Sequence, residues 1–125
     1  MKMKMIIWAQ QLDNVSDDLV VEPVIYGTGM NQIADRQERM EAVSMISDST
    51  IKKVVYDKSG VTIHKHKNKL VITVNTLERD SGSRQSPLTC YVEGRMDWQE
   101  ITAKIHAFAT KYGRKTVELP NCPFK

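Results

Sequence analysis

Three β-branched-rich runs stand almost end to end between Ile51 and Glu78: "IKKVVYD", "VTIHKHK" and "KLVITVNTLE". The first connection is "KSG", which carries a glycine, and the second is the tight polar "KN". A parallel crossover needs about a dozen or more residues, so connections this short admit only antiparallel hairpins. The segment is therefore expected to form an antiparallel meander, and whatever else the chain builds has to be layered on that sheet.

Three further runs have strand character. "KMIIWAQQ" near the start is β-branched and aromatic, and "PLTCYVEG", Pro87 to Gly94, is apolar and bounded by Pro and Gly. "LVVEPVIYG", Leu19 to Gly27, is apolar too, but Pro23 has no N–H to give to a ladder. That strand should lie at a sheet edge or break at the proline.

Two stretches follow a helical period. "MNQIADRQERMEAVSMI", Met30 to Ile46, has no Gly or Pro. It places Met30, Ile33, Met40 and Val43 near one stripe, with Asp35, Arg36, Glu38, Arg39 and Glu41 elsewhere, and "SDST" is expected to stop it. In "DWQEITAKIHAFATKYGRK", Asp97 and Glu100 match the N-cap and N3 positions of a capping box. Trp98, Ile101, Ile105, Phe108 and Tyr112 share its stripe, and Gly113 with the basic residues after it suits a helix C-terminus. The fold expected is α+β: an antiparallel sheet of about five to six strands with both amphipathic helices packed on one face, residues 1–125 forming a single domain.

With 125 residues and 41% hydrophobic content, one core can form without metals or disulfides. Cys90 and Cys122 belong to no CxxC pattern and lie near no His pair, so reduced thiols are expected. No stretch approaches the roughly 20 apolar residues needed to cross a bilayer, and the apolar run at the start is interrupted by Gln10 and Gln11, which reads as a first strand in a cytoplasmic protein. The net charge of +3 conceals an asymmetry. Residues 1–50 hold four Lys or Arg against eight Asp or Glu, giving −4, and residues 51–125 hold fourteen against seven, giving +7. A cationic second part suits an acidic protein surface, a phosphate-bearing small molecule or a nucleic acid.

Four places could carry chemistry, each with a structural reading beside it. "VIYGTGMNQ" runs an apolar strand through Gly27 and Gly29 into a helix, the local order of a phosphate site, but Gln32 stands where a dinucleotide fingerprint has glycine and no Lys-Ser/Thr pair follows. His64 and His66 share a strand face, yet zinc takes three or four ligands, so His106 or Cys90 would have to converge on them. No metal or other cofactor is expected. Lys65, Lys67 and Lys69, with Lys52, Lys53 and Lys58, could follow phosphates, though Tyr56 is the only aromatic in residues 51–70 available for stacking; such lysines also guard a strand edge. Finally, "ERDSGSRQSP", Glu78 to Pro87, holds Arg79 and Arg84 around Ser81 and Gly82, forked donors and backbone N–H groups that would cradle an anion, or else a solvated loop. No nucleophile elbow or metalloprotease helix occurs. Glu38 and Glu41 would pair with Arg36 and Arg39 or face water.

The arginine-bearing loop, the apolar strand after it and "DWQEI" together resemble small accessory or amino-terminal modules of bacterial antiphage conflict systems, over about residues 78–101. That resemblance implies an interaction or sensing module rather than an enzyme and transfers no site. The expected function is a non-enzymatic binding module using Lys65, Lys67, Arg79, Ser81, Gly82 and Arg84 on an acidic or phosphate-bearing partner, with a nucleic-acid binder or a small enzyme as alternatives. Self-association through the Met-rich first helix is left open.

Overall fold

The structure, a computed structural model, describes residues 3–9, 21–25, 32–56, 60–77, 87–111, 115–116 and 118–123. The fold is α+β. In chain order the elements are β1 (Lys4–Ala9), β2 (Val21–Ile25), α1 (Gln32–Ser47), β3 (Lys52–Tyr56), β4 (Val61–His66), β5 (Lys69–Val74), β6 (Thr76–Leu77), β7 (Leu88–Glu93), α2 (Trp98–Lys111) and β8 (Lys115–Thr116). Six strands form one antiparallel sheet in the order β2-β1-β7-β5-β4-β3, and the two-residue strands β6 and β8 pair separately.

The meander forms as the short connections require. Lys67 takes a positive φ of 53° in the turn between β4 and β5, which lets two residues reverse the chain. Gly60, at φ 69°, closes the turn before β4, its N–H donating to the Tyr56 carbonyl at 2.9 Å. A Cβ at Gly60 would sit 3.0 Å from the Asn75 side chain, so both backbone angle and space ask for glycine there. Pro23 lies on β2, an edge strand, opposite Ile6.

The central strands β1, β7 and β5 are apolar on both faces, and this overturns the expectation that both helices share one side. On one face Met5, Ile7, Leu70, Ile72, Cys90 and Val92 pack with Ile101, Ile105 and Phe108 of α2. On the other, Ile6, Trp8, Val71 and Tyr91 pack with Ala42 and Met45 of α1. A strand buried on both sides needs cover on both, so the helices lie on opposite faces, and neither face is left as an open cationic layer.

Asp97 caps α2 as expected: the Glu100 N–H donates to Asp97 Oδ1 at 3.2 Å, and the Ile101 N–H to the Asp97 carbonyl at 2.9 Å. Ile101, Ile105 and Phe108 are buried as its period requires, and Trp98 is half-buried; Tyr112 and Gly113 lie outside the described residues. Helix α1 stops at Ser47, where Asp48 Oδ1 accepts from the Thr50 N–H at 2.9 Å and its hydroxyl at 2.7 Å. Its inward face is not the expected one. Met40 is 53% exposed, whereas Glu38 and Arg39 are 8% and 6% exposed. The surface beneath α1 presents Lys4 and Lys69, and carboxylates meet those ammonium groups better than a methionine does.

Candidate functional site

Strand β3 closes one side of the sheet: β4 lies along its inner edge, and no described strand pairs with its outer edge. Alternation puts Lys53 and Val55 on the α1 side and Lys52, Val54 and Tyr56 on the α2 side. Val54 and Tyr56 are half-buried against the α2-side core and anchor the strand. Lys52 and Lys53 are exposed, and Val55 is 47% exposed. The result is a firmly held strand whose outward backbone groups are bracketed by two ammonium groups, one on each face.

Of the residues expected to bind, Lys67 is exposed in the β4–β5 turn, next to this edge. Lys65 is half-buried, opposite Lys52 and Leu70 on the α2 side. Lys69 stands on the other side of the sheet, opposite Glu93, and its ammonium group pairs with Glu41. The three lysines therefore do not form one stripe: the two-residue turn between Lys65 and Lys69 hands the latter to the opposite face. Arg79, Ser81, Gly82 and Arg84 lie outside the described residues, as do Gly27 and Gly29.

His64 and His66 share the α1 side, as alternation requires, but differ in setting. His66 is exposed; His64 is 3% exposed, sits opposite both Lys53 and Val71, and has no hydrogen-bond partner for Nδ1. Burial, and secondarily the Lys53 charge, holds its imidazole below the ordinary 6.5. Cys90 is buried in the α2-side core, where desolvation pushes its thiol well above the ordinary range, and His106 is exposed on α2. These groups do not converge, and among the described residues no group of three or more His, Cys, Asp or Glu could hold a metal ion.

Two features carried no usable signal in the sequence. One is the charged layer under α1. Lys4 Nζ pairs with Glu38 Oε1 and lies 3.4 Å from Glu93 Oε2, which also accepts from the Tyr91 hydroxyl at 3.2 Å. Burial alone would lower the Lys4 ammonium; Glu38 and Glu93 outweigh it and raise it, while the Lys69 ammonium is raised chiefly by its hydrogen bond to Glu41. Tyr91 is pushed far up by burial and by the carboxylates of Glu38, Glu93 and Glu41. Helical spacing put Glu38 and Glu41 one turn apart but did not say what lay below them. The other feature is an open groove of about 520 Å³ between α2 and residues 118–122, lined among others by Trp98, Thr102, His106, Glu118 and Cys122. Trp98 Nε1 ties the two walls together by donating to the Pro120 carbonyl at 3.0 Å.

No family model, curated protein or solved structure matches the chain.

Proposed function

We propose that this chain is a binding module that engages an acidic protein surface through the cationic edge formed by β3 and the adjoining β4–β5 turn. The observation that carries the reading is the pair Lys52 and Lys53, both exposed on the strand whose outer edge no described strand covers. Residues 51–70 supply six lysines against Asp57 alone. Among the described residues no ion pair engages Lys52, Lys53 or Lys67, in contrast to Lys4 and Lys69, whose charges are used within the fold. Cations held on a strand steer an acidic partner and fix its orientation, and their contribution falls with salt over a Debye length of about 8 Å at physiological ionic strength.

Titration of a fluorescent glutamate-rich peptide with the protein tests this. Binding is expected to weaken as salt rises and to drop about tenfold or more in the Lys52→Glu, Lys53→Glu double variant. Both positions are exposed, so the variant is expected to fold normally. Undiminished binding by the double variant overturns the reading. Single-stranded DNA is the comparison probe: if it binds through the same lysines more tightly than the peptide does, the partner is a nucleic acid instead.

A further inference from the structure

Resting on that reading, we infer that the partner binds by strand addition: an extended acidic segment pairs with the outer edge of β3 as a seventh strand. In an antiparallel sheet alternate residues of an edge strand turn both N–H and C=O outward; the Tyr56 carbonyl is taken by the Gly60 N–H, so the short ladder in the plane of the sheet lies within Lys52–Val55.

The two edges of this sheet are not equivalent. At the β2 edge Pro23 lacks an N–H and interrupts any ladder built on that strand. Strand β3 has no proline, is pinned from behind by Val54 and Tyr56, and continues the register of β4 over all five residues. Among the described residues of the six-stranded sheet, β3 is thus the edge suited to accept a strand.

The side chains define what that strand must carry. Lys52 and Lys53 project to opposite faces, so neighbouring acidic residues on the incoming segment, which also project to opposite faces, each meet one lysine. Val55 lies on the same face as Lys53, two residues on, and takes an apolar β-branched residue opposite it. An antiparallel partner therefore reads, from its N-terminus, as two apolar β-branched residues, one residue of either kind and two acidic residues. Charge complementarity commits the edge to an acidic segment of another protein rather than to a second copy, whose β3 would add two more ammonium groups to the same seam.

The probe is a peptide containing Val-Val-Thr-Glu-Glu, used with the intact chain in three forms: unmodified, with alternate backbone nitrogens methylated on the edge facing β3, and with both glutamates replaced by lysine. Strand addition predicts saturable binding of the unmodified peptide, slowed amide exchange confined to residues 52–56, and at least a tenfold loss on N-methylation, which leaves every side chain unchanged. Full affinity of the methylated peptide overturns strand addition while leaving the acidic-partner reading intact. Equal binding of the lysine peptide with protection of residues 52–56 does the reverse. No binding of any form at millimolar concentration overturns both, and a concentration-dependent dimer with protected β3 amides shows a second copy to be the occupant and overturns the acidic segment.

Discussion

Glu38 of α1 sits over Lys4 of β1, and the two side chains, 34 residues apart in the chain, pair where the helix meets the sheet. Lys4 is also 3.4 Å from Glu93, so one ammonium group serves carboxylates from both a helix and a neighbouring strand. Side-chain exposures of 30% and 11% place the pair between a surface bridge and a buried one. Lys4→Met leaves Glu38 beside Glu93 without its cation and is expected to cost about 1–3 kcal/mol in urea unfolding, between the ranges for exposed and buried pairs. Lys4→Met combined with Glu38→Leu removes both charges and should be less destabilised than the single variant, giving a clear coupling in the double-mutant cycle.

His64 should make stability fall in mild acid. Its imidazole is held below 6.5 by burial first and then by Lys53, so the unfolded chain takes up the proton before the folded one does. Stability is therefore level in this respect above about pH 6.5 and declines as pH drops from there towards the depressed folded-state value. Denaturant unfolding between pH 7 and 5 measures the slope, which His64→Leu is expected to reduce. Lys4 and Lys69 act at the opposite end: their raised ammonium groups contribute fully below 10.5, and the contribution is lost as pH rises through the folded-state values above it.

The orientation of α1 can be checked by contrasting methionines. Met40→Ala is expected to change stability by less than about 0.5 kcal/mol because the side chain is largely in solvent. Met45→Ala, on the buried side, should cost about 2–5 kcal/mol, as should Ile105→Ala under α2. Thermal or urea unfolding distinguishes this pattern from the reverse one, in which Met40 forms the core.

The two thiols should react at very different rates. Cys122 is exposed, whereas Cys90 is buried and its thiol is pushed up by desolvation. A disulfide reagent at pH 8 is expected to modify one thiol per native chain promptly and the second only on addition of denaturant. Prompt modification of both would show that the α2-side core opens readily.

Much of this fold was legible from local rules because the relevant forces are local. The closeness of the runs from Ile51 to Glu78 required antiparallel hairpins; Asp97 and Glu100 marked the start of α2; the spacing of Ile101, Ile105 and Phe108 identified its buried side; and Pro23 identified an edge. Of the expected binding residues, Lys65 lies on β4 and Lys67 in the turn after it, and the alternation that set His64 and His66 together also sends Lys65 and Lys69 to opposite faces once that turn is counted.

What the amino-acid order determined alone was the two helices, the strands of the main sheet and which positions within an element share a side, since these follow from backbone period and capping chemistry; the short β6–β8 pair was not among them. Only the tertiary structure decided that β1 enters between β2 and β7, that the helices take opposite faces, and that α1 turns Glu38 and Arg39 inward while leaving Met40 in solvent. Period reveals that an element has sides; which side is buried depends on the charge and shape of the surface it meets, and for Glu38 and Glu41 that surface carries Lys4 and Lys69, contributed by strands distant in sequence, whereas no contact among the described residues explains the inward turn of Arg39.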